Sequence, residues 1–497
     1  GVLFRGGDEG KIRKNLIEKN HIDAIIGLPA NIFYGTGIPT IVMVLKRKRK
    51  NTDVLMIDAS KGFVKEGKNN KLRASDIKKI IDVVTRRESL EKFSRVVSRD
   101  EIRKNDYNLN LPRYVDTSEQ AESWDIFASM FGGLPLSEIE ALNAYWAAFP
   151  TLRNSLFAQG SSAYCTLTCD DVKKAIQEHR DIEAFAHSFH EAFRDFDAYL
   201  YDELITNMER ITLSKTEEML AENIFQRLAH IPLIDKYEAY QLLDDDWTKI
   251  AIDLEMIQTE GFEATKVVAP NMVVKKKGAL EQEVQEGWKG RILPFALVQD
   301  TLLSDEKQAI EKKEKTLSEI AAQYEEIFDT LTEEEKEQDF VHEDGWAFAE
   351  VAKARKNKDM EPETQAKINA VAELNTKEKA LKAEVKRERA RLEAKTKETI
   401  EHLSDEQVKE LLKLKWIHPL MARFMELPES AVAALIAKLE TLAKKYETTF
   451  AGMESQIEET QRALSAMMDD MEGNEFDMRG LREFKKLLGG ESSGRNQ

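Results

Sequence analysis

The stretch HIDAIIGLPANIFYGTGIPTIVMVLK, residues 21–46, decides how the first part of the chain folds. It contains two apolar runs, residues 21–29 and 39–46, and a third run follows at residues 53–60. Apolar runs of this length, without polar alternation, are typical of central strands that are covered on both faces. The sequence therefore predicts an α/β region here.

The residues before this stretch extend the pattern. Residues 2–4 (VLF) look like strand sequence, and residues 9–20 (EGKIRKNLIEKN) have the spacing of a short amphipathic helix. Three strands and a helix make the last part of a sheet, not a whole one. We therefore expect Gly1 to lie in the middle of a strand and the sequence to be a piece of a longer protein.

From about residue 73 the pattern is mainly helical, and a less regular patch near residues 260–296 predicts a small hairpin or loops. Two heptad patterns stand out, and their spacings of three and four predict helices packed along a seam. The apolar positions of the first seam are Ile310, Leu317, Ile320, Tyr324, Ile327, Leu331, Leu374, Leu381, Val385, Leu392 and Ile400. Those of the second seam are Leu435, Leu439, Leu442, Tyr446, Phe450, Met453, Ile457, Leu464, Met467 and Met471.

Between the two seams lies LKWIHPLMARFMELP, residues 414–428. Its two prolines, Pro419 and Pro428, predict a reversal of the chain, so that the seams would form an antiparallel coiled-coil hairpin. The seams could pack against each other within the chain or against a partner protein, because either arrangement buries the apolar stripes.

The composition is that of a chain rich in long, solvated helices, with 42% hydrophobic and 33% charged residues among 497. No window reaches the apolar length that spans a bilayer and no N-terminal signal is visible, so we expect no membrane contact. Only Cys165 and Cys169 are present, which disfavours a disulfide framework and indicates a cytoplasmic protein.

Charge is distributed unevenly along the chain. Residues 1–113 contain 25 lysines and arginines against 14 aspartates and glutamates, a net charge of +11. The whole chain carries −17, so the remainder carries −28. A polyanion is therefore expected to meet the first hundred residues.

The candidate metal ligands do not form a convincing site. Cys165 and Cys169 have a longer spacing than structural zinc sites use, and His187 and His190 belong to a separate amphipathic helix. We therefore predict no metal. The lone Gly35-Thr36-Gly37 enters a strand instead of a helix, which favours a tight turn over a phosphate cradle.

Two groups of residues remain as functional candidates. Phe33 and Tyr34 stand on a glycine-containing turn, where they either plug the end of the sheet or present a flat face to a base. A basic run closes the second apolar stretch, and a more dilute basic region follows it at residues 61–73. The run is either a solvated hairpin end or a set of contacts to DNA phosphates, and it consists of Lys46, Arg47, Lys48, Arg49 and Lys50.

Residues 1–49 and four further blocks carry a resemblance to a known family. The four blocks are NDYNLNLPRYVD (105–116), PLIDKYEAYQLLDDDW (232–247), IQTEGFEA (257–264) and GWKGRILPF (287–295). Through them the chain resembles the modification (M) subunits of type I restriction–modification systems, which are adenine-N6 DNA methyltransferases, and residues 1–49 are similar to the closing part of their catalytic domain. The acidic heptad tail is similar to the C-terminal region of the same subunits.

The resemblance implies a fold class and domain boundaries. The fold class is mainly α, with a partial α/β part that is the end of a Rossmann-like methyltransferase sheet, followed by a helical domain with long antiparallel coiled-coil helices. The boundaries are residues 1–60 for the last strands of the catalytic domain, 61–116 for its basic helical tail, 117–304 for a helical domain, and 305–490 for coiled-coil helices with a C-terminal helical hairpin.

The resemblance also implies which chemistry the chain has and lacks. The family binds S-adenosylmethionine at a glycine loop and holds adenine with an Asn-Pro-Pro-aromatic motif, and this sequence contains neither. We therefore expect no catalytic residue, no bound cofactor and no activity in this fragment alone. Phe33 matches the family's aromatic that stacks on the extracted target base, with Tyr34 as the second choice.

The implied function is that of the C-terminal part of an M subunit, which would contribute base stacking, DNA contact and assembly. The implied partners are the specificity (S) subunit, a second M subunit, the restriction (R) subunit and double-stranded DNA. A purely helical scaffold or interaction protein, without methylation chemistry, is the alternative that the heptad seams allow.

Overall fold

The computed structural model describes residues 1–118, 123–159, 163–277, 280–342, 345–357 and 360–488. The chain divides into two compact units. The first unit comprises Gly1–Asp195, Glu218–Asp245 and Ala422–Gln497, and the second comprises Phe196–Glu217 and Asp246–Met421.

The first unit opens with a four-stranded sheet. Its elements are α1 (Gly7–Glu18), β1 (Ile22–Gly27), β2 (Ile41–Leu45), β3 (Val54–Asp58), β4 (Val64–Glu66), β5 (Asn69–Lys71), α2 (Ala74–Arg86), β6 (Ser94–Val97) and α3 (Arg99–Lys104). The strand order is β2-β1-β3-β6, in which β1 and β3 run parallel and the two outer strands run antiparallel to their neighbours. Strands β4 and β5 form a separate hairpin.

Both faces of β1 and β3 are buried, as the apolar runs at 21–29 and 53–60 predict. Ile25 and Met56 belong to the core on one face, whereas Ile26 and Ile57 belong to the core on the other. β2 departs from that prediction, because it is an outer strand of the sheet in the part of the chain that is described. Its Val42 and Leu45 side chains are exposed.

Other expectations for this region need correction. Residues 2–4 form a turn instead of a strand, in which the Phe4 amide donates to the Gly1 carbonyl and Leu3 is buried in the core. Residues 61–116 are not only a helical tail, because β6 pairs with β3 and the β4–β5 hairpin precedes α2. The sheet therefore extends past residue 60.

The rest of the first unit up to residue 195 is made of short helices around a three-stranded sheet of order β7-β9-β8. These elements are α4 (Ile126–Phe131), β7 (Leu134–Pro135), α5 (Leu136–Glu140), α6 (Asn143–Ala148), α7 (Leu152–Leu156), β8 (Phe157–Gln159), β9 (Tyr164–Leu167), α8 (Val172–Gln177) and α9 (Arg180–Ala192).

Longer helices dominate the remainder of the chain. The first elements of this part are α10 (Phe196–Tyr201), α11 (Leu213–Arg227) and α12 (Lys236–Glu260), followed by the strands β10 (Val268–Lys277) and β11 (Leu280–Gly290). The following elements are α13 (Phe295–Thr301), α14 (Ser304–Asp329), α15 (Glu333–Lys336), β12 (Val341–His342), β13 (Gly345–Trp346), α16 (Phe348–Ala354) and α17 (Pro362–Glu401). The last helices are α18 (Asp405–Leu412), α19 (His418–Met425), α20 (Leu427–Lys445), α21 (Phe450–Met467) and α22 (Glu475–Leu488).

The first heptad seam closes within the second unit, where α14 and α17 pack as an antiparallel pair. Lys313 contacts Glu388 and Tyr324 donates a hydrogen bond to Glu378, so residue numbers rise along one helix as they fall along the other. Ile310 and Leu392 are buried between them. The irregular patch near 260–296 is the β10–β11 hairpin, whose Trp288 amide donates to Glu393 of α17 at 2.9 Å.

The predicted pairing of the two seams is wrong. Leu435 and Leu439 of the second seam pack in the first unit, in the core that contains Phe149. The segment that was expected to reverse is helical on both sides of Glu426. Pro428 occupies the first turn of α20, where a missing N–H costs no hydrogen bond, so it marks a helix start. None of the helices in the described ranges is both long enough and apolar enough to cross a membrane.

Candidate functional site

The aromatic pair predicted from the sequence lies on the loop between β1 and β2. Phe33 is 54% exposed and Tyr34 is 92% exposed. Side chains that plug a core are buried, so the exposure of both rings speaks against that interpretation. The loop leaves β1 at Gly27, which pairs with Asp58 at the end of the parallel strand β3, and the rings therefore stand beyond the carboxyl edge of the sheet.

The base of this loop is held by the β4–β5 hairpin. The Asn70 side-chain amide donates to the Ala30 carbonyl at 2.7 Å, and the Asn70 backbone N–H donates to the Asn31 carbonyl at 2.9 Å. The Leu28 amide donates to the Thr40 carbonyl at 2.9 Å. Exposed rings thus stand on a stem that is fixed on two sides.

Asp58 is a polar side chain that ends β3 at the carboxyl edge. Its Oδ1 accepts a hydrogen bond from the Ser60 amide at 3.0 Å, and its Oδ2 accepts one from the Thr117 hydroxyl at 3.2 Å. Both carboxylate oxygens therefore have partners within the chain. Asp58 orders the turn that follows β3.

The basic run lies at the opposite edge of the sheet. β2 is antiparallel to β1, so Leu45 pairs with Ile22 and the Lys46 amide donates to the His21 carbonyl at 2.9 Å. One strand length, about 17 Å, separates this edge from the carboxyl edge. The structure thus does not bring the basic run and the aromatic loop together.

Arg49 differs from the rest of the basic run because its side chain is only 5% exposed. Its guanidinium lies 2.9 Å from Asp23 Oδ1 and donates to Asn20 Oδ1 at 3.0 Å. Arg87 also reaches Asp23 Oδ1, at 2.8 Å, and Lys46 Nζ lies 2.6 Å from Oδ2. Arg49 is therefore part of a structural ion network, whereas Arg47, Lys48 and Lys50 are exposed.

The network sets the charge state of Asp23. Burial on its own raises the pKa of this carboxyl, but the hydrogen bond from Lys46 and the charges of Arg49 and Arg87 outweigh burial, and the pKa lies below its ordinary value. Asp23 is thus held as a carboxylate, which compensates the buried guanidinium.

The four candidate metal ligands are spread over two elements. Cys165 is buried in β9 with its Sγ 3.8 Å from the Leu134 carbonyl, and Cys169 follows that strand. His187 and His190 lie on α9. Within the described ranges, no three histidine, cysteine, aspartate or glutamate side chains are grouped as metal ligands.

The residues at the carboxyl edge do not fit S-adenosylmethionine. In the family that the sequence resembles, this cofactor is held by a glycine loop that follows the first strand. Here β1 leads through Gly35 and Gly37 into another strand, and β3 leads into the β4–β5 hairpin. The Asp58 carboxylate is used within the chain, where it accepts from the Ser60 amide and the Thr117 hydroxyl and orders the turn after β3.

Sequence reasoning missed Asn70 and Asp58. The sequence Glu66-Gly67-Lys68-Asn69 indicates the hairpin that carries Asn70. Glycine at the first central position favours a two-residue hairpin turn, and Gly67 has a φ of +63°. The sequence does not reveal that this hairpin reaches the loop before Phe33.

Comparison with known proteins identifies the region that carries this site. Residues 1–123 match the N-6 DNA Methylase family. The type I restriction enzyme MpnII methylase subunit of Mycoplasma pneumoniae is 41% identical over 127 residues, which cover 25% of this chain and 23% of that protein. The MjaVII methylase subunit of Methanocaldococcus jannaschii is 46% identical over 132 residues, with the same two shares.

A solved structure is similar over a comparable share. The type I restriction–modification methyltransferase subunit of Streptococcus thermophilus is 54% identical, with a TM-score of 0.24, over 24% of this chain and 25% of that one. The chain thus spans about a quarter of the length of the curated relatives that it matches. Residues 1–123 match the N-6 DNA Methylase family, and the resemblance to methylase subunits of type I restriction enzymes is confirmed over about a quarter of this chain.

Proposed function

We propose that this chain is the C-terminal part of the modification subunit of a type I restriction–modification system. The whole subunit would transfer a methyl group from S-adenosylmethionine to N6 of adenine in DNA. One observation carries the proposal above the others: two exposed aromatic rings stand on a tethered loop at the carboxyl edge of the sheet. That loop lies in the part of the chain that matches N-6 DNA methylases.

The chemistry gives the aromatic loop its role. The amino group of adenine is buried in a paired stack, so an enzyme that methylates it must extract the base and hold it flat. An exposed ring on a fixed stem can stack on the extracted base, which contributes about 1–3 kcal/mol. We assign this role to Phe33, with Tyr34 as the second candidate.

The basic run is proposed to contact the DNA backbone through Arg47, Lys48 and Lys50, and through Lys46, which pairs with Asp23 but has a side chain that is 55% exposed. Arg49 belonged to this set in the sequence-based prediction, but its guanidinium is engaged by Asp23 and Asn20. Contact with a phosphate needs an accessible cation. Arg49 is therefore proposed to hold the basic run in place through its ion pair with Asp23, and not to contact DNA.

The fragment is proposed to be inactive by itself and to bind no cofactor. The sequence has no Asn-Pro-Pro-aromatic motif to direct the adenine amino group, and the carboxyl edge does not fit S-adenosylmethionine. Both elements are attributed to the whole subunit.

Assembly with the S subunit, a second M subunit and the R subunit is the proposed role of the helical part. Its support is a stripe on α21 with no buried member, at helical spacing. The stripe consists of Phe450, Met453, Ile457, Leu464 and Met467. The same stripe would also suit an interaction protein without methylation chemistry, which is the second candidate.

Methylation by the full-length subunit, assembled with its partners, separates the two candidates. Phe33→Ala should lower the methylation rate about 5- to 150-fold, the equivalent of about 1–3 kcal/mol of stacking, while the melting temperature stays unchanged. Phe131→Ala is the matched control, because that ring is 61% exposed and lies outside residues 1–123. Normal methylation by Phe33→Ala would remove the stacking role, and a full-length protein that never methylates would favour the interaction protein.

A further inference from the structure

The β4–β5 hairpin carries positive charge that the proposed function leaves unexplained. Lys65 lies on β4 and Lys68 in the turn, and both are exposed. Neither has a carboxylate partner within the described part of the chain. Glu66, the acidic residue of the hairpin, is paired with Lys71 at 3.1 Å. Two unpaired cations therefore project from this hairpin.

The topology places these cations on the side of the aromatic loop. Strands β1 and β3 are parallel, so the aromatic loop and the hairpin both leave the sheet at its carboxyl edge. Lys65 pairs with Asn70 in the hairpin register, and directly opposed side chains lie on the same face of a two-stranded sheet. The Asn70 side chain reaches the Ala30 carbonyl on that face. Lys65 is thus on the face that is turned toward the loop of Phe33.

From this arrangement we propose that the β4–β5 hairpin binds the DNA phosphates next to the base that stacks on Phe33. The inference rests on the proposed function and deepens it. An enzyme that extracts a base from a duplex must bind the DNA backbone beside that base. Lysine ammonium groups bind phosphates as point charges, and such contacts do not depend on the base sequence. The basic run at residues 46–50 cannot supply it, because one strand length separates that run from the loop.

The test uses the whole chain and a DNA duplex with 2-aminopurine opposite an abasic site, since an unpaired base is easily extracted. Affinity is measured by fluorescence anisotropy over a series of salt concentrations, and base stacking by quenching of 2-aminopurine. Lys65→Gln/Lys68→Gln should reduce the slope of log K against log salt by about 1.8, the value for two lost phosphate contacts. Lys19→Gln/Lys104→Gln removes the same charge from two exposed lysines elsewhere in this unit and should leave the slope unchanged.

The outcomes separate this inference from the proposed function. An unchanged slope in Lys65→Gln/Lys68→Gln, or an equal loss in the control pair, overturns the role of the hairpin. Quenching that is lost in Phe33→Ala then still supports the stacking role. Quenching that persists in Phe33→Ala rejects the stacking role, and a lowered slope in the same experiment keeps the hairpin as a phosphate contact. A wild-type chain that does not bind the duplex at 50 mM salt rejects both.

Discussion

Asn70 is a single side chain that joins two segments 40 residues apart in the sequence. Its amide group donates to the Ala30 carbonyl and its backbone N–H donates to the Asn31 carbonyl. Asn31 itself has a φ of +55°, in the left-handed region that asparagine adopts more readily than most other residues, as is common in turns. The position of the aromatic loop is thus set from outside the loop.

Asn70→Ala should therefore loosen the loop without unfolding the sheet. The substitution removes one hydrogen bond and leaves the Ala30 carbonyl unpaired, a loss of about 1 kcal/mol. Amide hydrogen exchange of residues 30–38 should become faster, whereas exchange in β1 should not change. Asn69→Ala, at the neighbouring position, is the control. Equal exchange in both variants would show that the hairpin does not fix the loop.

Asp23 gives a second prediction, which concerns pH. Its pKa is lowered in the folded chain, so its contribution to the free energy of unfolding is fully present above the ordinary value of 3.8 and is lost as the pH falls through the folded-state value. Asp23→Asn should destabilise the sheet by about 3 kcal/mol at pH 7, because it leaves the buried guanidinium of Arg49 without its carboxylate partner. The difference in melting temperature from the wild type, measured by calorimetry, should shrink toward pH 3.

The matched control for Asp23 is Asp8→Asn, whose ion pair with Lys11 is exposed and contributes little. A difference between Asp23→Asn and wild type that stays constant from pH 7 to pH 3 would mean that the carboxylate charge is not what stabilises the network.

At the scale of single residues, the sequence identified the exposed aromatics but not what holds them. Phe33 and Tyr34 could be singled out because aromatic residues on a glycine turn are locally unusual. Asn70 could not, because its hydrogen bonds are long-range and an asparagine in a short polar segment has many ordinary explanations. Arg49 was grouped with its neighbours since charge alone does not reveal burial, which depends on Asp23 lying beneath it.

At the scale of elements, strands with strong apolar runs were predictable and short or polar strands were not. β1 and β3 are buried on both faces, and their uninterrupted apolar sequences predict this. β4, β5 and β6 have at most four residues each, and polar side chains interrupt them, so local pattern carries little strand signal. β6 forms because β3 offers it an edge to pair with, which is tertiary information.

The two heptad seams look alike in sequence but have different surroundings, and two substitutions should distinguish them. Ile310 is buried between α14 and α17, so Ile310→Ala should cost about 3 kcal/mol through lost burial and a cavity. Ile457 on α21 is 57% exposed, so Ile457→Ala should change the free energy of unfolding by less than about 0.5 kcal/mol. Urea unfolding followed by circular dichroism measures both. Similar losses would mean that the second seam is also packed.

At the scale of the whole molecule, the proposed docking of the S subunit on the exposed stripe of α21 gives a prediction about assembly. A glutamate in an apolar interface leaves a charge without water or partner, which costs several kcal/mol. Ile457→Glu should therefore abolish co-purification with the S subunit while the melting temperature of the free chain stays the same. Glu459→Gln, which changes a charge on the same helix without adding one, should co-purify normally. Retention of the S subunit by Ile457→Glu would place its docking surface elsewhere.

The connections that follow the strands at the carboxyl edge of the sheet predict whether this chain binds the methyl donor. β1 ends in the aromatic loop, β3 ends in the turn ordered by Asp58, and neither strand leads through a glycine turn into a helix. Isothermal titration of the chain with S-adenosylmethionine should therefore show no binding in the micromolar range. The full-length subunit, titrated under the same conditions, should bind. Micromolar binding by this chain alone would mean that a pocket for the methyl donor exists within these 497 residues. The proposal that the cofactor site belongs to another part of the whole subunit would then be wrong.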